Sequence, residues 1–107
     1  MPSSSNGGLY RFQLSFSGFL AESIRKLQRQ ATGEGRGYQF LQAMRKAVAR
    51  LRTAPMQFGE PLYRLQALRL QVRCGAIGPL YIDFAVAEEL QVVYIKSVKL
   101  LPLTKLP

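Results

Sequence analysis

The alternation of apolar and polar side chains in the second half of the chain predicts three β-strands. In residues 68–73, leucine and valine alternate with arginine and glutamine, so Arg69 and Arg73 share a polar face that points away from the core. Residues 79–86 alternate in the same way, with Leu80, Ile82, Phe84 and Val86 on the apolar side. Residues 90–98 are apolar on nearly both faces, which is typical of a strand in the interior of a sheet.

The first half of the chain predicts one strand and two helices. Alternating aromatic and polar residues give a half-buried strand over residues 9–16, and Ser17 is suited to capping the helix that follows. Helical spacing predicts a first helix over residues 19–31 and a second over residues 38–53, separated by a glycine-rich loop. The predicted inward positions are Leu20, Ile24, Leu27 and Ala31 in the first helix, and Leu41, Met44, Val48 and Leu51 in the second.

These elements predict a single α+β domain over residues 9–100. Two antiparallel helices are expected on one face of a four-stranded, mostly antiparallel sheet, in the order strand, helix, helix, strand, strand, strand. The first strand is expected to pair in parallel with the last, which leaves the basic strand toward the other edge. Residues 1–8 are interpreted as a flexible tail, residues 56–66 as an irregular connector and residues 101–107 as coil.

Charge changes this picture, because the chain is strongly and unevenly basic. The formal net charge is +9, and residues 36–73 contain eight basic residues against the single acidic residue Glu60. Such an excess favours a polyanionic partner, namely nucleic acid, an anionic membrane or an acidic protein, although a solvated helix face can show the same pattern. The candidate nucleic-acid-binding residues are Arg45, Lys46, Arg50 and Arg52 on the second helix, and Arg64 in the connector.

The residue inventory excludes several kinds of catalytic site. The chain contains no histidine, so it has no Ser–His–Asp triad, no Cys–His pair and no histidine-based metal site. Its single cysteine, Cys74, excludes an internal disulfide and fits a reducing compartment. The sequence shows neither a transmembrane stretch nor a signal peptide. We therefore expect a cytoplasmic protein without a metal, a cofactor or a membrane partner.

Several segments of the chain follow one another in a recognisable order. An opening strand with Ser15 and Phe16 leads into an amphipathic helix, and a second helix ends in LRTAP. The segments FGEPLYRLQALRLQVR, PLYIDFAV and LQVVYIKSVKL come after it. In this order and periodicity, over about residues 9–100, the chain resembles the RelE/ParE superfamily of bacterial toxins from type II toxin–antitoxin modules.

The resemblance implies a cytoplasmic toxin that a cognate antitoxin protein neutralises by wrapping it with an extended or helical segment. RelE-like members cut messenger RNA in the ribosomal A site, whereas ParE-like members poison DNA gyrase. The RelE-like chemistry needs no metal and no histidine, because basic side chains hold the RNA backbone and stabilise the developing negative charge. The implied fold is the two-helix, four-stranded arrangement described above.

The candidate catalytic set follows from this resemblance. Arg69 and Arg73 match the basic positions of the family's second strand, and Tyr81 and Lys96 are the further candidates, for base stacking or proton donation and for charge. The third strand reads YIDF where the family often has an arginine, two hydrophobic residues and a tyrosine, and the tail LPLTKLP lacks the family's C-terminal tyrosine. Three classes stay open: a ribonuclease toxin, a toxin that binds gyrase, and a non-toxic basic module that binds nucleic acid or protein.

Overall fold

The strands form a single mixed sheet in the computed structural model, which describes residues 11–103. The sheet order is β1-β5-β4-β3-β2, with β1 parallel to β5 and every other pair antiparallel. The α+β class and the parallel pairing of first and last strands are confirmed, whereas the predicted number of four strands is wrong. The five strands are β1 Gln13–Ser15, β2 Glu60–Leu65, β3 Leu70–Ile77, β4 Leu80–Ala87 and β5 Val92–Leu100.

The additional strand is β2, which lies within the segment predicted to be an irregular connector. β2 pairs antiparallel with β3, and a bulge between Pro61 and Tyr63 interrupts the period of two on which the sequence prediction depends. Pro61 is tolerated because β2 is an edge strand, where a missing N–H breaks no interior hydrogen bond. The basic strand β3 is therefore one position in from the edge.

Two helices cover one face of the sheet. They are α1 Gly18–Gly33 and α2 Gly37–Thr53. The Oγ of Ser17 accepts a hydrogen bond from the backbone N–H of Leu20 at 3.1 Å, which confirms the predicted cap. The glycine-rich stretch forms the turn between the helices, and Gly35 adopts a φ of 76° there.

The inward face of α2 is rotated in part relative to the prediction. Leu51 is buried as predicted and Met44 packs partly buried against the core, but Leu41 is 43% exposed, and Phe40, Ala43 and Ala47 are buried instead. The larger Phe40 is therefore the aromatic residue that this helix contributes to the core, in place of Leu41. On α1 the predicted pattern is closer, since Leu20 and Ala31 are buried and two further predicted positions, Ile24 and Leu27, pack partly buried against the core.

The core lies between the helices and one face of the sheet. Side chains opposite each other on paired strands share a face, so the register identifies which strand residues point toward the helices. These are Leu80, Ile82, Phe84 and Val86 of β4, as predicted, with Val93 and Val98 of β5. The opposite face, called here the open face, carries Tyr63, Val72, Cys74, Tyr81, Asp83, Ala85 and Tyr94, and no described helix packs on it.

The prediction that Arg69 and Arg73 share one exposed strand face is wrong. A short 3₁₀ turn at Gln66–Leu68 precedes β3, and Arg69 follows it with a left-handed φ of 53°, outside the strand. Arg73 pairs with Phe84 across β3 and β4, so its side chain lies on the helix side, where it is only 5% exposed. The apolar alternation of β3, at Leu70 and Val72, points to the open face instead.

The ends of the predicted domain are only partly within the described residues. The start of the predicted first strand, the tail at residues 1–8 and residues 104–107 lie outside them. Residues 101–103 have no regular structure, and the N–H of Leu101 donates to the carbonyl of Pro79 at 2.7 Å. The predicted interior position of the last strand is confirmed, because β5 lies between β4 and β1.

Candidate functional site

Arg73 is a buried cation that is held by neutral oxygens. Its Nε donates to the carbonyl of Phe58 at 3.3 Å, and its Nη2 donates to the carbonyl of Gly59 at 3.2 Å. Its Nη1 donates to the side-chain oxygen of Gln71 at 2.8 Å. Within residues 11–103 no carboxylate pairs with Arg73, which is unusual for a charge at this depth. The side chain therefore fixes the loop before β2 to β3.

A second arginine reaches the same loop from the end of α2. The Nη2 of Arg50 donates to the carbonyl of Gln57 at 3.2 Å, and its guanidinium carbon lies 5.6 Å from the ring centroid of Phe58. That ring in turn stacks on Phe84, with centroids 5.7 Å apart. Phe58 is thus a core residue with a cation over its ring, an arrangement that favours the charged guanidinium. Residues 57–59 are held by Arg50 and Arg73 together.

Arg69 and Arg64 meet in a cleft at the tip of the β2–β3 hairpin. The cleft has a volume of about 450 Å³ and is lined by Arg64, Gln66, Arg69, Glu88 and Glu89. The Nη1 of Arg69 contacts both carboxylate oxygens of Glu89, at 2.8 and 2.7 Å. The pair is well exposed, with 71% and 66% of the side-chain surfaces accessible, so water screens it strongly. Arg64 is exposed and makes no hydrogen bond or ion pair with the other described residues.

The largest concentration of positive charge lies on α2. Its four basic residues are all exposed, and the helix contains no acidic residue. Arg45 and Lys46 make no hydrogen bond or ion pair within residues 11–103. At a rise of about 1.5 Å per residue, the four charges extend over roughly 10 Å of helix. They form the α2 basic surface, defined by Arg45, Lys46, Arg50 and Arg52.

Tyr81 lies on the open face, on the opposite side of the sheet from Arg73. A hydrogen bond with the Cys74 side chain, partial burial and the negative charges of Cys74, Asp83 and Glu60 raise the pKa of Tyr81 to about 12. Its phenol therefore stays neutral at physiological pH, where a phenolate base would be negligible. The nearby carboxylate of Asp83 accepts a hydrogen bond from the Ser97 hydroxyl at 2.8 Å.

The four predicted catalytic residues are not brought together. Arg73 is buried on the helix side, Tyr81 lies on the open face, and Arg69 projects from a hairpin tip. Lys96 occupies the bulge of β5, between the residues that pair with Asp83 and Phe84. Sequence reasoning missed the loop at residues 57–59, whose only local signal is the glycine that follows Phe58. What the structure does bring together is positive charge, on α2 and beside it.

We also looked for a metal site, a membrane-spanning helix and similarity to known proteins. No group of three cysteine, aspartate or glutamate side chains suited to a metal ion occurs in the part of the chain that the structure describes. None of the described helices has the length and apolar character needed to span a membrane. Comparisons with protein-family models, with curated proteins and with solved structures found no match.

Proposed function

We propose that this domain binds nucleic acid, and that the α2 basic surface is its main contact with the phosphate backbone. The observation that carries the proposal is the excess positive charge of α2, where four exposed basic side chains share a helix without an acidic residue. Two of the four, Arg45 and Lys46, make no described hydrogen bond or ion pair, and a row of phosphates is a ligand that can neutralise several exposed cations at once.

The distribution of acids supports this assignment. In the helical layer, the Nη2 of Arg25 lies 3.0 Å from Glu22 within α1, and Arg36 pairs with Glu34 in the turn after it. The acids thus lower the net charge of the α1 side, whereas α2 has no acidic residue of its own. At the tip of the β2–β3 hairpin, Glu89 pairs with Arg69, while Arg64 is exposed and makes no described hydrogen bond or ion pair. Arg64 would add a further phosphate contact there.

The expected result is salt-dependent binding of a fluorescent single-stranded RNA, measured by anisotropy at several salt concentrations. Arg45→Gln with Lys46→Gln should weaken binding roughly tenfold at low salt, and should make the slope of log affinity against log salt shallower by about 1 to 2. Both side chains are exposed and have no described partner, so the change should leave stability nearly unaltered.

The matched control is Lys26→Gln with Arg29→Gln, which removes two exposed charges from α1 instead. This control should retain most of the affinity and most of the salt slope. An equal loss in both pairs of variants would show that only the total charge matters. Absence of RNA binding at low salt would contradict the proposal and leave an acidic protein as the partner that explains the charge.

A toxin of the RelE/ParE type is the second candidate, and its support is the opening strand followed by two helices, together with the parallel pairing of β1 with β5; the additional strand β2 departs from the implied fold. Because the candidate catalytic side chains lie on different faces of the sheet, a toxin that acts by binding its target is favoured over one that cleaves RNA. On this reading the partner would be a cognate antitoxin, and the target would be DNA gyrase or the ribosome with its mRNA.

Regulated expression in a bacterium tests the toxin role, with growth, mRNA integrity and the DNA damage response read together. A toxin that acts by binding should arrest growth without cutting mRNA, and Arg45→Gln with Lys46→Gln should relieve the arrest. Ribosome-dependent cuts that disappear in Arg69→Ala would instead support the ribonuclease. Unimpaired growth at a confirmed level of folded protein would contradict the toxin role and leave nucleic-acid binding standing.

A further inference from the structure

We propose that the open face of the sheet is a stacking platform for unpaired bases, so that the nucleic acid bound by this domain is single-stranded. The inference rests on the proposed nucleic-acid binding and adds a second contact surface on the opposite side of the molecule from the helices. It is carried by three tyrosines, Tyr63, Tyr81 and Tyr94, which belong to three different strands and share this face.

The register places two of these rings in one row across the sheet. Tyr63 pairs with Val72, Val72 with Ala85, and Ala85 with Tyr94. Three strand spacings of about 4.8 Å separate the ends of this row, so the two tyrosines stand roughly 14 Å apart. Tyr63 is 51% exposed and Tyr94 is 37% exposed, so both rings are accessible to a ligand. Each ring can therefore take a separate base.

The residues between the two rings are apolar and smaller than tyrosine. Val72 and Ala85 lie between Tyr63 and Tyr94 in the register; both are almost fully buried, and no described helix packs over them. The accessible surface of this row therefore belongs mainly to the two tyrosines. Exposed aromatic rings suit the flat faces of bases, because every base offers a π-face for stacking.

Tyr81 and a polar pair complete the platform. Tyr81 lies four residues from Ala85 along β4, roughly 13 Å at 3.3 Å per residue, and pairs with Lys99 of β5. Between the two rows lies Asp83, whose carboxylate is oriented by the Ser97 hydroxyl. A carboxylate at this position can accept hydrogen bonds from the exocyclic amino group of a stacked base, as acidic side chains do with cytosine.

Positive charge lies at the edge of this face, where a phosphate backbone would pass. β1 covers β5 only as far as Tyr94, so the remainder of β5 is a free sheet edge in the described structure. Lys96 and Lys99 lie on that part of β5, are exposed, and make no described hydrogen bond or ion pair. Bases on the rings with phosphates at the lysines match the division between stacking and electrostatic contacts in single-strand binding.

The test uses intrinsic tyrosine fluorescence and oligonucleotide binding on the full chain, which contains no tryptophan. Wild type should bind a single-stranded RNA more tightly than a duplex of the same length, and base stacking should quench the tyrosine emission. An abasic oligonucleotide with the same number of phosphates should bind at least about fivefold more weakly, because it offers no bases to stack.

Substitution of the two exposed rings separates stacking from apolar contact. Tyr63→Leu and Tyr94→Leu keep an apolar side chain, and each should weaken binding of the base-containing strand by about fivefold or more, with little effect on the abasic strand. Tyr63→Phe and Tyr94→Phe keep the ring and should retain wild-type affinity. Tyr38→Leu is the matched control, since Tyr38 is an exposed tyrosine of α2, away from this face.

Two outcomes overturn the platform, and they bear differently on the proposed function. Equal binding of abasic and base-containing strands, unchanged by the leucine variants, would contradict stacking while leaving phosphate binding by the α2 basic surface intact. Absence of binding to any oligonucleotide at low salt would overturn both proposals together. Loss of affinity in the leucine variants that the phenylalanine variants restore would support the platform.

Discussion

We expect the Gly59→Ala substitution to lower the free energy of unfolding by about 3 kcal/mol or more, a large share of the roughly 5 to 15 kcal/mol typical of a domain of this size. Gly59 has a φ of 71°, a conformation that residues with a Cβ atom rarely adopt. A Cβ atom placed there would lie 1.9 Å from the backbone oxygen of Cys74 and 2.7 Å from the Cα of Gly75. Both contacts are to backbone of β3, which cannot rotate away.

Gly35→Ala is the control that isolates backbone conformation from collision. Gly35 also has a positive φ, 76°, but an added Cβ would meet no atom within 4 Å. The control should therefore cost only about 1 to 2 kcal/mol. Urea unfolding followed by circular dichroism measures both. If Gly59→Ala were no more destabilising than Gly35→Ala, the close approach of residues 57–59 to β3 would be wrong.

The second large effect is expected at Arg73. Arg73→Ala should lower the free energy of unfolding by about 2 to 4 kcal/mol, because it removes three hydrogen bonds of a buried cation and leaves two loop carbonyls without their donor. Arg69→Ala should change it by less than about 1 kcal/mol, since it breaks only an exposed ion pair. Denaturant unfolding of the two variants, compared with wild type, gives both values.

Arg73→Met distinguishes the volume of the side chain from its hydrogen bonds. Methionine fills much of the same space without donating to the carbonyls of Phe58 and Gly59, so this variant should fall between wild type and Arg73→Ala. It should also retain oligonucleotide binding in the folded state, because Arg73 acts on the loop. Equal stability losses for Arg73→Ala and Arg69→Ala would contradict a structural role for Arg73.

Much of the fold follows from local patterns that tertiary structure does not override. The cap at Ser17, the turn between the helices, the two faces of β4 and the interior position of β5 are each encoded by spacing or composition. β2 could not be predicted in this way, because its bulge breaks the alternation and Pro61 argues against a strand. Its pairing with β3 is visible only in the register.

The candidate site was harder to predict from the sequence than the fold, because the sequence does not show which face of β3 is buried. The alternation in β3 predicts that Leu70 and Val72 lie on the opposite face from Gln71 and Arg73. It does not predict which of the two faces the helices cover. The helices cover the face of β4 that carries its large apolar side chains, including Phe84. Because Arg73 pairs with Phe84, its side chain lies on this same face. The arginines of α2 depend on no such choice, and their exposure is as predicted.

The reactivity of the single cysteine can be used to measure local opening of the open face. Cys74 is a free thiol, buried on that face, where it pairs with Glu60 of β2 and interacts with the Tyr81 side chain. Because only 6% of Cys74 is exposed, a thiol reagent reaches its sulfur only when the surrounding structure opens. The labelling rate of the unmodified protein therefore measures the free energy of that local opening, without an engineered probe.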